Sequence, residues 1–274
     1  MTAYAGRTSA REFLNKIHEC MIAEKYKLVF GNSTNGEFVY KSPNDNFFIQ
    51  FLDPKSNCLH VGFYDNYTVL QEGEPGITSK GQKQECITWN KSSEDDVQIA
   101  YIMNISPSFV IIQCEGLKVD KDCCSSLTYI GMPKCYDDKD NKTPDFGGIA
   151  GTTRMKTNKT SQWPALRNRA LKADSFYKID GYWPENSCGW GDSIFYTPLY
   201  IGNSDEGLRG ELHCLYGLKA NSRKEFHHYD TFQNDGKYYI ILSTDDDYDK
   251  NSFLPKTWYV MEVEEEMKYG LLFR

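Results

Sequence analysis

Two adjacent histidines, His227 and His228, stand between acids in the stretch EFHHYDTFQNDGKYYIIL, residues 225–242. Neighbouring imidazoles and carboxylates are the material of metal sites and of acid–base pairs. Their backbone argues against that use. In a strand, successive side chains point to opposite faces, so the two rings cannot both reach one ion. Asn234-Asp235-Gly236 carries the glycine that tight hairpins need, and YYIIL after it is an apolar strand. The stretch therefore reads as a β-hairpin, with one histidine toward the core or a neighbour and the other toward solvent or a partner. His213-Cys214, on a strand that could lie alongside, is the one addition that would favour a metal.

Other chemistry-bearing residues give the same kind of answer. Asp245-Asp246-Asp247-Tyr248-Asp249 offers hard oxygens for calcium. An EF-hand loop needs Gly at its sixth and Glu at its twelfth position, and those positions are Lys250 and Lys256. The run reads as a solvated loop between strands. Gly147, Gly148 and Gly151 lack the Lys-Ser/Thr that completes a phosphate loop. No nucleophile elbow and no His-Glu-x-x-His helix occurs, and nothing singles out a general acid and base among the carboxylates. Nine cysteines occur without a Cys-x-x-Cys, so they read as free, largely buried thiols. Cys123-Cys124 reads as two packed or edge residues rather than a reactive pair. Tyr182, Trp183 and Trp190 in GYWPENSCGWGDS form an aromatic, glycine-bearing loop. That loop is a sugar-stacking platform, a docking surface, or a loop tucked into its own core. With Tyr248 these three make the candidate interaction surface. No catalytic, cofactor-binding or metal residue is assigned, and no cofactor is expected.

The elements that must carry these residues follow from periodicity. Ser9-Ala10-Arg11-Glu12 is a capping-box pattern, and Phe13, Leu14, Ile17 and Met21 then share a helical face. A helix is expected from about Ser9 to Lys25. Short aromatic and β-branched runs follow, punctuated by turn residues: GEFVYK, NFFIQFL, CLHVGFY and YTVL. VQIAYIMN and FVIIQCEG flank Ile105-Ser106-Pro107-Ser108 as a hairpin, and LTYIGM is one more strand. Residues 136–175 are polar and aperiodic and read as a long insertion or linker, with a short helix around Pro164 to Leu171. The last third returns to strands. The expected fold class is α+β: mainly antiparallel β with an N-terminal helix, and two β-rich lobes joined by a long polar loop. The expected units are 1–135, helix plus antiparallel sheet; 136–175, insertion or linker; and 176–274, a C-terminal β-rich lobe.

A chain of 274 residues with 40% hydrophobic residues can bury a core. Its net charge is -7 and its basic residues are scattered, so no nucleic-acid stripe is present. MTAYAGRTSAREF lacks an apolar signal-peptide core, and no apolar run reaches membrane-spanning length. No membrane partner is expected, and synthesis is expected in the cytoplasm.

The order of segments resembles a family of virion structural proteins of tailed bacteriophages. The likeness rests on Tyr129-Ile130-Gly131-Met132-Pro133, on Gly210-Glu211-Leu212 through Tyr216, and on Gly236-Lys237-Tyr238-Tyr239. It covers roughly two thirds of the chain in pattern. The resemblance implies a non-enzymatic component of the tail, baseplate or neck, located in the virion and made in the host cytoplasm. Its implied partners are other virion structural proteins and copies of itself, in a homo-oligomeric ring or other multimer. The competing expectations are a carbohydrate-binding or host-recognition module of the tail tip, and a glycan hydrolase with dispersed carboxylates.

Overall fold

A computed structural model of the chain describes residues 1–44, 47–53, 58–64, 68–69, 75–76, 81–88, 97–117, 124–136, 146–155, 159–160, 166–168, 176–180, 195–203, 207–219, 229–243 and 258–263. The chain opens with β1 (Thr2–Ser9), α1 (Ala10–Ala23), β2 (Lys27–Asn32), β3 (Glu37–Lys41), β4 (Phe48–Leu52), β5 (Cys58–Tyr64), the two-residue β6 (Thr68–Val69) and β7 (Pro75–Gly76), and β8 (Gly81–Thr88). There follow β9 (Gln98–Ser106), β10 (Phe109–Gly116), β11 (Cys124–Gly131), β12 (Lys134–Cys135), β13 (Phe146–Met155), β14 (Lys159–Thr160), β15 (Leu166–Asn168) and β16 (Phe176–Asp180). The C-terminal part holds β17 (Phe195–Asn203), β18 (Gly207–Lys219), β19 (Thr231–Asn234), β20 (Lys237–Ser243) and β21 (Trp258–Val263). All pairings are antiparallel, and the fold is α+β and mainly β, as its sequence indicates.

Helix α1 begins where its cap predicts. Ser9 is extended, with φ -78 and ψ 157, and its hydroxyl accepts from the Glu12 amide at 3.3 Å. The reciprocal half of the box is not made, because the Glu12 carboxylate takes the Asn15 amide at 3.0 Å instead. Phe13, Leu14, Ile17, Cys20 and Met21 are the buried face. The helix stops at a left-handed Lys25, φ 65, with the Tyr26 amide returning to the Met21 carbonyl at 3.0 Å. Ser9→Ala is expected to cost about 1 kcal/mol, read as a lowered denaturation midpoint with unchanged slope.

Two sheets carry most of the described residues. Strands β2-β3-β4-β5-β8 form one of five strands, and the other, of fourteen, runs β1-β9-β10-β11-β13-β15-β16-β17-β18-β21-β20-β19 with β12 and β14 attached beside it. Strands β9, β10 and β11 are covered on both faces. Tyr101, Met103, Ile105, Val110, Ile112 and Ile130 face one core with α1 and the five-stranded sheet, among Phe13, Ile17, Tyr40, Phe51 and Phe63. The alternate residues Ile102, Phe109, Ile111, Leu127 and Tyr129 face a second core with Leu199, Leu215, Ile240, Leu242, Tyr259 and Met261. The fourteen-stranded sheet therefore bends back over itself, and three layers result. This explains why IAYIM and FVIIQC show almost no polar alternation: both faces are dry.

Most polar groups caught between the layers are hydrogen-bonded, with the buried Asn104 Oδ1 the exception among the described residues. Gln113 donates to Ser125 Oγ at 2.6 Å, and Tyr229 donates to Glu115 Oε2 at 2.5 Å. Asn104 donates to the Glu262 backbone carbonyl at 2.5 Å, tying β9 to β21.

The segment 136–175, expected as a polar linker with a short helix, holds β13, β14 and β15 in the described residues. Strand β13 pairs with β11 on one side and with β14 and β15 on the other, and Leu166–Asn168 is a strand where the helix was expected. The sheet passes through this segment, so its two halves are joined by pairing as well as by the chain. Residues rich in Gly and Thr give no period of their own here; the neighbouring strands impose the extended form.

Candidate functional site

The predicted interaction residues Tyr182, Trp183, Trp190 and Tyr248 lie outside the described residues, as do His227, His228, Cys123 and the 245–249 acidic run. The hairpin that follows the histidines is present. Asn234 faces Lys237 across Asp235 (φ 49) and Gly236 (φ 75), both left-handed as a type I′ turn requires. The ladder then leaves strand form at Tyr229, φ 71, which donates its amide to the Ile241 carbonyl at 2.7 Å.

Two side-chain clusters stand out among the described residues. The first sits where β11 turns the corner toward the outer layer. Gly131 is left-handed at φ +137, Tyr129 donates its hydroxyl to the Met132 carbonyl at 2.7 Å, and the Met132 amide reaches the Ser108 carbonyl at 2.8 Å. Beyond Pro133, β12 pairs with β18 and sets Lys134 opposite Glu211. The Glu211 carboxylate receives Lys134 Nζ at 2.8 Å and the Tyr136 hydroxyl. Two residues on, the His213 ring lies flat on Phe109, centroids 5.0 Å apart and planes 11° apart, and Phe109 lies flat on Tyr129 at 5.7 Å and 12°.

Electrostatics at this corner follow from the contacts. Burial works against the charge on Glu211, but the hydrogen bonds from Lys134 and Tyr136, and the Lys134 charge, outweigh it and hold the carboxyl below its usual range. A carboxylate with a depressed folded pKa lends stability above its ordinary value of 4.5 and loses it as pH falls through the lower folded value. Lys134 is 59% exposed, so screening keeps the pair small: Glu211→Gln is expected to cost no more than about 1 kcal/mol at neutral pH. The same substitution should flatten this acid-side loss in a series of denaturation curves run below pH 4.5.

The second cluster is aromatic and lies on the outer side of β17, β18, β20 and β19. Phe232 stacks on Tyr239 at 5.1 Å and 15°, and Tyr196 meets Tyr216 at 5.4 Å, Tyr239 at 5.2 Å and Phe232 at 6.0 Å. Asn234 Nδ2 donates to the Tyr196 hydroxyl at 2.7 Å, while Glu262 accepts from Tyr216 at 3.0 Å and pairs with Lys237 at 2.9 Å. In a flat sheet β17 and β19, four spacings apart, would be about 19 Å from each other. Contact between their side chains requires this end of the sheet to curl, concave toward the rings. The tyrosines fill that concavity by packing on one another.

Elsewhere the titratable groups are tied to the fold. His18 stacks on Phe38 at 4.4 Å and shares a hydrogen bond with the Tyr40 hydroxyl at 2.8 Å. Cys20, Cys58 and Cys114 are buried and Cys214 is half-buried; burial pushes the Cys20 thiol up to about 11, away from thiolate chemistry. Among the described residues no three His, Cys, Asp or Glu side chains gather as ion ligands, and no helix is long and apolar enough to cross a membrane. His213 and Cys214 are the only members of the sequence-derived metal set that are described, and Cys214 is left-handed at φ 56 in a bulge of β18. The Lys134–Glu211 pair was not signalled in the sequence, where its members stand 77 residues apart.

No known protein-family model matches this chain, and no curated protein matches it either.

Proposed function

We propose that the chain is a non-catalytic structural component of a tailed-phage particle, of the tail, baseplate or neck, acting by self-association and by docking to other virion proteins. One observation carries the reading. The three segments on which the resemblance rests meet in one sheet system, and their residues hold backbone in place. Tyr129 through Pro133 makes the left-handed corner, the next residues pair with Gly210 and Glu211 at the head of β18, and Gly236 closes the hairpin whose strand β20 reaches β18 through β21. Motifs spent on corners and turns suit a part whose work is to keep its shape in an assembly.

The test is mass spectrometry of purified particles together with sizing of the isolated protein. The reading expects the chain in particles at a fixed copy number and a multimer in solution. A strict monomer absent from particles, or a preparation that turns over cell-wall or capsule glycan, would end it.

A further inference from the structure

We propose that His213 is a pH-responsive latch: its neutral ring, seated flat on Phe109, keeps the β12–β18 corner closed, and a proton on that ring sends it out to water and loosens the pairing of Lys134 with Glu211. The inference is independent of the particle reading.

The geometry supplies the latch. Tyr129, Phe109 and His213 form a three-ring stack that spans β11, β10 and β18, so the middle layer and the outer layer meet through it. His213 is half-buried, with one face of its ring against Phe109. A neutral imidazole tolerates that position. An imidazolium has two N–H donors to satisfy and a charge to solvate. The groups that bear on it are Lys134 from β12, which repels the cation, and Glu211 from its own strand, which attracts it. Glu211 is already engaged by Lys134 and by Tyr136. Tyr200 on β17 faces Glu211 across the sheet, Cys214 is the next residue of β18, and the Tyr129 hydroxyl is spent on the Met132 carbonyl. Phe109 gives the cation some attraction through its ring face, which is weak for Phe. Burial and Lys134 prevail, and the ring holds its proton less readily than an ordinary histidine, for which 6.5 is the reference.

The sign follows. The unfolded or opened corner binds the proton better than the closed one, so closure is favoured above pH 6.5 and weakens as pH falls through that value toward the lower folded one. The order of events is fixed: His213 acts at mildly acidic pH, and Glu211 only below the carboxylate range.

The experiment is amide hydrogen exchange on the full chain, corrected for the intrinsic pH dependence, between pH 7 and about 5. In the wild type, protection of peptides covering 131–136 and 207–216 is expected to fall several-fold while that of β9 and β10 holds. His213→Phe keeps a ring on Phe109 without a titrating nitrogen, and should hold protection flat over the same range. Glu211→Gln removes the one carboxylate that attracts the cation, so it should move the response to lower pH without abolishing it. Equal pH responses in the wild type and His213→Phe would overturn the proposal, as would a wild type with no response. If His213→Phe does not fold, the His213 ring proton followed by NMR in the wild type decides. Titration below 6.5 together with loss of corner protection supports the latch, and titration at or above 6.5 refutes it.

Discussion

Gly131→Ala should cost about 3 kcal/mol or more, enough to leave a chain of ordinary stability largely unfolded in mild denaturant. Two terms add. The residue sits at φ +137, where side chains are strained, and an added Cβ would lie 2.4 Å from the Ser108 carbonyl oxygen and 2.6 Å from Phe109 Cα. Both contacts are backbone, in the tight β9–β10 turn, so neither can swing aside. Gly236→Ala is the matched control. It is also left-handed, φ +75, but nothing lies within 4 Å of the added carbon, so only the conformational term of about 1 kcal/mol applies. Urea midpoints for the two variants should differ well beyond error, with Gly131→Ala the lower. Equal midpoints would mean that the corner is not packed as described. The effect also bears on the candidate site, since Gly131 aims the chain that delivers Lys134 to Glu211.

How far the sequence could be read depended on whether the determining chemistry was local. Helix α1 was legible because its cap and its apolar face lie within one short segment. The β9–β10 hairpin was legible because Pro107-Ser108 interrupts two apolar runs, and residue 106 does pair with 109. The β19–β20 turn was legible from Asp-Gly. Strand β1 was not: TAYAGRTS has no alternation, and it is extended because β9 pairs with all eight of its residues. Strand β13 was hidden for the same reason. FGGIAGTTRM reads as a loop, yet Gly147 serves close packing, since a Cβ there would meet Met132 Sδ and Phe63.

The site was less legible than the fold. Lys134 meets Glu211 only because β12 and β18 share a register, and no local pattern encodes that. His213 was noticed for metal binding, while its partners proved to be an aromatic ring, a lysine and a committed carboxylate. Nineteen tyrosines are a content that suits half-buried strands and interfaces alike. In the described residues Tyr26, Tyr40, Tyr64, Tyr101, Tyr129, Tyr229, Tyr239 and Tyr259 are buried instead. Several use their hydroxyls on internal acceptors, such as Tyr26 on the Ser106 carbonyl at 2.7 Å and Tyr64 on Gln50 at 2.7 Å. Composition counts aromatics without saying which side of the surface they occupy.

The three-layer arrangement makes the largest prediction, because it removes the escape route that most sheets offer. In a sheet with one wet face, an aspartate introduced at two successive positions is fatal at one and tolerated at the other. Ile111 and Ile112 are both 0% exposed, Ile111 in the core shared with β20 and β21, Ile112 in the core shared with α1 and the five-stranded sheet. Ile111→Asp and Ile112→Asp should therefore each abolish cooperative folding. An unpaired buried carboxylate costs several kcal/mol, the lost aliphatic packing adds to it, and the sum rivals the whole stability of a domain. Ile111→Val and Ile112→Val, which trim one methylene, should each cost about 1 kcal/mol and keep the transition two-state. Circular dichroism and denaturation of the four variants read the result directly. Retention of a sharp transition by either aspartate variant would mean that one face of β10 is open to water, and the bend of the fourteen-stranded sheet over its own middle would have to be given up.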